Sequence, residues 1–177
     1  MRDVLARVRG ALASSAAALV CDIDGTLALD WARSHLRPKS NPHCLSGVAP
    51  EVIGRYMAGE LVSRDQPVPG AMRFLGRLDA MAPPVFVVTA RWEPLRAVTE
   101  RWLATHYPEL RYQRLLMRGE VDVRPSVAVK LDLVSEHCRQ GVWLDDDPEM
   151  LAAAEDRGFV SLKAPDVFEH WREVTAA

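Results

Sequence analysis

Asp22 and Asp24 are the side chains of this sequence with the clearest capacity for chemistry, because only one residue separates them. They follow an apolar run over residues 16–21 that indicates a buried strand, and Gly25 and Thr26 then turn the chain away. Residues i and i+2 of a strand point to the same side, so both carboxylates should face one small volume. Paired carboxylates repel unless a cation or a shared proton offsets their charge. Mg²⁺ prefers carboxylate oxygens, and aspartate is a covalent nucleophile in phosphoryl chemistry.

Two further apolar strands also end in polar side chains. Residues 85–88 lead to Thr89, residues 142–144 lead to three acids at 145–147, and Lys130 lies near the start of a helix between these strands. The carboxyl ends of parallel strands meet at one rim of a sheet. Acids, a hydroxyl and an ammonium group are the parts that hold a metal ion and phosphate oxygens during phosphoryl transfer. The acidic triplet is also suited to the N-terminus of the helix that follows it.

Short apolar strands alternate with helices along the chain, which indicates a doubly wound α/β fold with a parallel sheet covered on both faces. The absence of a repeat or linker in the sequence predicts one domain over 1–177, with 28–66 as a flap or minimal cap insertion. The pattern predicts strands at 17–23, 85–89, 112–117, 141–144 and 159–162, a loop over 28–46, and helices at 2–13, 49–62, 71–81, 93–106, 126–139, 148–157 and after Pro165.

Composition limits the classes of function. The net charge of −2 gives no general attraction to nucleic acid or to an anionic membrane. No apolar run is long enough for a membrane span, and residues 2–13 favour an amphipathic helix over a cleaved leader. The three cysteines lack metal-ligand spacing and a disulfide pattern. A reducing cytoplasm is therefore the expected location.

Four motifs, taken in order, resemble those of the haloacid dehalogenase-like (HAD) phosphohydrolases. They are the DxDGT run at 22–26, the apolar strand ending in Thr89, Lys130, and the strand ending in adjacent acids at 145 and 146. The resemblance extends over about residues 17–162. It implies a Rossmann-like HAD core with a small or absent cap.

The resemblance also implies roles. Asp22 would attack phosphorus and form an aspartyl-phosphate, and Asp24 would protonate the leaving oxygen and then activate water. Thr89 and Lys130 would hold the phosphate. The implied ligands of Mg²⁺ are Asp22, the backbone carbonyl of Asp24, and Asp145 or Asp146.

A narrower resemblance concerns the substrate. Residues 116–125 followed by Lys130, residues 89–91, and an arginine eleven residues past the nucleophile at position 33 are similar to polynucleotide kinase 3′-phosphatase domains. That resemblance implies that Arg33 and Arg91 bind substrate or phosphate. Ser126 departs from the pattern, because an acidic residue often stands four positions before the lysine. The run at 66–71 is also similar to bacterial HAD phosphatases of unassigned substrate.

The sequence leaves several functions open. The favoured one is a Mg²⁺-dependent phosphomonoesterase whose substrate includes a 3′-phosphate end of nucleic acid. A phosphatase of a small metabolite or nucleotide, with 28–66 as a lid, is the first alternative, and a catalytically inactive phosphate-binding module is another. A receiver domain fits less well, because receivers carry adjacent acids after the first strand. Candidate nucleic-acid contacts, each with a packing or surface alternative, are Arg111, Arg114, Arg118 and Arg124, and the aromatic residues Trp31, His35, His43 and Trp92.

Overall fold

The computed structural model describes residues 2–36, 50–79 and 82–173. The strands are β1 (Ala18–Asp22), β2 (Ala28–Leu29), β3 (Gln66–Pro67), β4 (Val85–Trp92), β5 (Arg114–Arg118), β6 (Gly141–Asp145) and β7 (Phe159–Lys163). The α-helices are α1 (Arg2–Ala11), α2 (Pro50–Tyr56), α3 (Gly59–Val62), α4 (Ala71–Asp79), α5 (Arg96–His106), α6 (Ser126–Ser135), α7 (Pro148–Glu155) and α8 (Ala164–Glu173). Short 3₁₀ turns cover Ser34–Leu36 and Glu93–Leu95.

The central sheet has five strands in the order β5-β4-β1-β6-β7, and every neighbouring pair is parallel. The chain adds β4 and β5 on one side of β1 and then returns to add β6 and β7 on the other. This reversal makes the carboxyl ends of β1 and β6 the topological switch point, where doubly wound folds bind their ligands. The predicted doubly wound parallel sheet is confirmed.

Helices cover both faces of the sheet because alternate strand residues point to opposite sides. Cys21 lies in the layer that includes Phe74 of α4 and Phe168 of α8, whose rings have centroids 5.8 Å apart. Val20 lies in the opposite layer with Met150 of α7. Burial on both faces explains why the strands are continuous apolar runs in the sequence.

The segment from 28 to 66 differs from its prediction. Residues 28 and 29 were expected in a loop, but they form β2, which pairs antiparallel with β3. The helix predicted over 49–62 is two helices, because Ala58 takes an extended conformation (φ −62°, ψ 127°) between them. Alanine is a good helix former, so the signal in the sequence for this break is Gly59, the poor helix former that follows it. Residues 30–36 of the predicted loop include the 3₁₀ turn Ser34–Leu36, and its residues 37–46, including His43, lie outside the described residues.

Within the ranges that the structure describes, no helix combines the length and the apolar character needed to cross a membrane.

Candidate active site

The chain wraps tightly around one carbonyl after β1. The Ile23 oxygen accepts hydrogen bonds from the backbone N–H groups of Thr26, Leu27 and Ala28, at 3.2, 2.8 and 2.7 Å. Gly25 has φ +88°, and a Cβ at this position would lie 2.2 Å from Asp146 Oδ2. Only glycine therefore permits both this left-handed turn and its close approach to the acid.

Asp22, Asp145 and Asp146 form a group that we call the acid cluster, with one carboxylate oxygen of each within 4.8 Å of the others. The cluster forms because residues 21 and 144 are register partners, so β1 and β6 end side by side. Lys130 Nζ lies 2.7 Å from Asp22 Oδ1 and donates to Asp145 Oδ2 at 2.9 Å. Asp22 Oδ2 is buried and has no hydrogen-bond partner among the described residues.

The acid cluster carries more negative charge than Lys130 can balance. Burial and the Asp145 carboxylate raise the pKa of Asp22, although the Lys130 ammonium opposes them. Burial would lower the pKa of Lys130, but the carboxylates of Asp145 and Asp22 outweigh it and raise that pKa, so the ammonium stays charged. The acid cluster and Lys130 together carry a formal charge of −2, which one divalent cation would neutralise. Three carboxylates and an unpartnered buried oxygen fit a hard cation such as Mg²⁺.

The residues of the acidic triplet at 145–147 have different positions. Asp145 enters the acid cluster, and its Oδ1 accepts the backbone N–H of Asp147 at 3.1 Å. Asp147 is the N-cap of α7, where its Oδ1 accepts the N–H of Glu149 at 2.9 Å. The helix-cap interpretation of the triplet therefore holds for Asp147, and the metal interpretation of Asp145 and Asp146 stays a prediction.

The Asp24 carboxylate is not part of the acid cluster, although the sequence predicted that it would face the same volume as Asp22. The strand ends at Asp22, so the alternation of side chains does not extend to Asp24. Asp24 instead accepts Arg91 Nε at 3.0 Å and Nη2 at 2.7 Å, and it pairs with Arg33 Nη2. Burial alone would raise the pKa of Asp24, but the charges of Arg91 and Arg33 hold it well below its usual range. Thr89 Oγ1 lies 3.5 Å from Asp24 Oδ2.

Arg33 and Arg91, which we call the arginine pair, are completely buried. The Arg33 guanidinium lies 4.5 Å from the ring centroid of Tyr56 in α2. Both arginines also contact Asp65, which no sequence argument singled out. Asp65 stands directly before β3, and the pairing of β3 with β2 brings it to the site.

A bulge in β4 brings Arg91 to the site. Thr89 pairs with Met117 and Trp92 with Arg118, so two residues of β4 have no register partner between these pairs. Such a bulge changes the direction of the side chains that it carries. Thr89 Oγ1 accepts the Arg91 N–H at 3.1 Å, and Arg118 Nε donates to the Ala90 carbonyl at 3.0 Å. Side chains thus satisfy the backbone groups that the bulge takes out of the ladder.

The proposed track of arginines along a nucleic-acid backbone is wrong for Arg118. This side chain is fully buried, and its Nη1 donates to the carbonyls of Asp122 and Arg124 at 3.0 and 2.6 Å. It joins the loop after β5 to the β4 bulge. Arg111, Arg114 and Arg124 are exposed, and the Arg124 guanidinium is paired with Asp122 and Asp132.

We expect Arg118→Met to lower the free energy of unfolding by about 2 to 4 kcal/mol, because it removes a fully buried guanidinium and leaves three part-buried carbonyls without their donors. Arg114→Met, which removes an exposed arginine from the same strand, should change it by less than about 0.5 kcal/mol. Urea unfolding of both variants checks the difference. Equal stabilities would contradict the structural role of Arg118.

The candidate aromatic residues also differ in their exposure to solvent. Trp31 is 69% exposed and stands two residues before Arg33. Trp92 is half-buried and packs against Ile53, Tyr56 and Met57. His35 is exposed, and His43 lies outside the described residues.

Comparison with known proteins supports the fold. No protein-family model matches the sequence, and no curated protein matches it. Chains from two structures of a Pnkp1/Rnl/Hen1 complex, one titled an RNA repair complex, align with TM-scores of 0.60 and 0.59 at 23% and 22% identity. They cover 84% and 82% of this chain, which spans only 45% and 41% of theirs.

Two hydrolases from other organisms also align. A class C acid phosphatase from Bacillus anthracis, solved with tungstate bound, has a TM-score of 0.58 at 14% identity, over 99% of this chain and 81% of its own. A HAD hydrolase from Entamoeba histolytica HM-1:IMSS has a TM-score of 0.52 at 13% identity, over 82% of each chain. These likenesses, with the sheet order and the strand-end acids, show that the chain has a HAD-like fold.

Proposed function

We propose that this chain is a Mg²⁺-dependent phosphomonoesterase that acts through an aspartyl-phosphate on Asp22. One observation carries the proposal. The Asp22 carboxylate is buried at the switch point of the sheet, with one oxygen beside Lys130 and the other without a hydrogen-bond partner among the residues described. A buried carboxylate in that state is suited to a metal ion or to an electrophilic phosphorus.

The residues divide the reaction as follows. An Asp22 oxygen attacks phosphorus, and the bond from phosphorus to the leaving oxygen breaks while Asp24 donates a proton to that oxygen. Asp24 then takes a proton from water, which attacks phosphorus, releases inorganic phosphate and regenerates the Asp22 carboxylate. Lys130 and Thr89 hold phosphate oxygens in both steps.

Mg²⁺ would be held by Asp22, the Asp24 carbonyl, Asp145 and Asp146, and when bound it would neutralise charge on the phosphoryl group. The acid cluster supports this assignment through its three adjacent carboxylates.

The arginine pair is the proposed contact with the substrate phosphate. Both arginines donate to the carboxylate of Asp24, which is the half-buried member of the ion-pair network. Arg91 Nη1 is buried and has no hydrogen-bond partner within the described ranges, so it retains a donor for an anionic oxygen. A phosphate that takes these donors would also release Asp24 to carry a proton.

The proposed substrate is a 3′-phosphate end of nucleic acid. Two observations support it: the fold likeness to a chain of an RNA repair complex, and the exposed Trp31 near Arg33, where a base could stack. A small phosphomonoester is the second candidate, favoured by the likeness to an acid phosphatase.

A substrate panel tests the proposal. We expect a 3′-phosphorylated oligonucleotide to have a kcat/KM at least about tenfold above those of its 5′-phosphorylated isomer and of small phosphomonoesters, a difference of roughly 1.4 kcal/mol. Chelation of Mg²⁺ should abolish turnover of every substrate, and added Mg²⁺ should restore it. A preference for small phosphomonoesters would favour the second candidate. Turnover that survives chelation, or none on any member of the panel, would refute the proposed chemistry.

A further inference from the structure

Asp65 is a buried carboxylate of the site that the proposed reaction does not use. Its side chain has no exposed surface, and it lies 32 residues after Arg33 in the sequence, at the end of the segment between β2 and β3. Asp65 Oδ1 accepts Arg33 Nε at 3.1 Å and Oδ2 accepts Arg33 Nη2 at 2.8 Å. Asp65 Oδ2 also accepts Arg91 Nη2 at 2.7 Å. One carboxylate therefore joins both guanidinium groups.

The arginine pair lies between two carboxylates of different accessibility. Asp24, which contacts both arginines from one side, has 21% of its side chain exposed, whereas Asp65 has none. An anion that enters from solvent can therefore take the place of Asp24 but cannot reach Asp65. The network is formally neutral, because two carboxylates balance two guanidinium groups. Loss of the Asp24 contacts would leave a net positive charge on arginines that Asp65 still holds.

The structure also fixes Asp65 itself. Its backbone carbonyl accepts Trp102 Nε1 of α5 at 2.7 Å, and its N–H donates to the Val62 carbonyl at 3.3 Å. The next residue, Gln66, pairs with Leu29 in the ribbon of β2 and β3. Groups that bind a reacting phosphate act best when other residues have already set their orientation.

We propose that Asp65 is a positioning residue that holds Arg33 and Arg91 together, in the orientation that receives the phosphate of the substrate. This inference rests on the proposed function. It makes the end of the segment between β2 and β3 part of the phosphate site, because Asp65 supplies the contact behind both guanidinium groups. Without Asp65, the two guanidinium groups repel each other and keep Asp24 as their shared carboxylate partner, on the side that phosphate must occupy.

The test compares Asp65→Asn with Glu60→Gln, which removes an exposed carboxylate from α3 of the same segment. We expect Asp65→Asn to raise both KM and the Kd of inorganic phosphate, measured by calorimetry, by about tenfold or more, because small displacements of binding groups have large effects. kcat at saturation and the Mg²⁺ concentration for half-activation should change much less. Glu60→Gln should leave all four values unchanged.

Two outcomes would overturn the inference. A variant with a lower melting temperature but an unchanged KM and phosphate Kd would mean that Asp65 only stabilises the fold. Tighter phosphate binding would mean that Asp65 only reduces the positive charge of the site. Should Asp65→Asn fail to fold, Asp65→Glu keeps the charge but displaces it by a methylene, and unchanged phosphate binding in that variant would also overturn it.

A failure of the proposed function can be told apart from a failure of this inference. Wild-type protein that neither hydrolyses a phosphomonoester nor binds inorganic phosphate would refute the proposed function. A crystal structure of Asp65→Asn or Asp65→Glu then decides the role of Asp65. Displaced guanidinium groups of Arg33 and Arg91 would support it, and unmoved groups would overturn it.

Discussion

Asp22→Asn should abolish phosphomonoester hydrolysis, with kcat/KM falling by at least about 10⁴-fold. The uncharged Asn amide is too weak a nucleophile to form an acyl-phosphate. The substitution also removes one of the three carboxylates of the acid cluster. Steady-state hydrolysis by purified protein with Mg²⁺ present measures the loss.

The fold should survive this substitution. Asn has nearly the same shape, and it relieves repulsion within the acid cluster while Lys130 keeps Asp145 as a partner. We expect the free energy of unfolding without Mg²⁺ to stay within about 1 kcal/mol of wild type. Asp156→Asn, at an exposed acid after α7, is the matched control and should keep full activity. Undiminished turnover by Asp22→Asn would remove the proposed nucleophile.

Asp24→Asn should separate the two halves of the reaction. Without an acid, kcat for alkyl phosphates should fall by about 10²- to 10⁴-fold. p-Nitrophenyl phosphate has a leaving group that needs no proton, so Asp22 should still be phosphorylated by it. The intermediate should then accumulate, because no base activates water. Rapid-mixing absorbance should show a burst of p-nitrophenolate equal to the enzyme concentration, followed by slow turnover.

The same variant should also bind phosphate more tightly. Asn in place of Asp24 leaves the arginine pair and Asp65 with a net positive charge, and it no longer competes with phosphate for Arg91. A lower Kd for inorganic phosphate is therefore expected alongside the lower kcat. Equal loss of activity on alkyl and p-nitrophenyl phosphates, with no burst, would contradict the acid and base role of Asp24.

The sequence predicts the part of the site that depends on local pattern. Asp22, Thr89 and Asp145 each follow a short apolar run, and the carboxyl ends of parallel strands meet at a common rim, so their placement at that rim follows from the fold class. Lys130 follows from its position in an ordered set of motifs. Each of these residues needs only its own element to be identified correctly.

The remainder of the site depends on contacts between distant parts of the chain. Asp65 reaches the arginine pair only through the closing of β2 on β3, and two-residue strands leave no pattern to detect. The position of Arg91 depends on a bulge in β4, whereas the sequence predicts that this strand ends at Thr89. In the sequence Arg118 cannot be told from a surface arginine, because only the three-dimensional structure shows the carbonyls to which it donates.

The prediction of 28–66 as a flap or minimal cap stays a prediction, and these contacts add a second role for the segment between β2 and β3. Its described part supplies Asp65 to the arginine pair and Tyr56 to the face of Arg33. The cost of these buried charges is offset only if each one keeps its partner. Substitutions of Asp65 or Tyr56 should therefore affect phosphate binding.

The site of covalent phosphate is the most direct test of the account. Asp24→Asn is mixed with p-nitrophenyl phosphate and Mg²⁺, quenched in acid and reduced with borohydride, which converts an aspartyl-phosphate to homoserine. Mass spectrometry of the peptides should find homoserine at position 22, and none when Mg²⁺ is chelated or when Asp22 is also replaced by Asn. A burst of p-nitrophenolate without modification of Asp22, or with homoserine at another acid, would contradict the account.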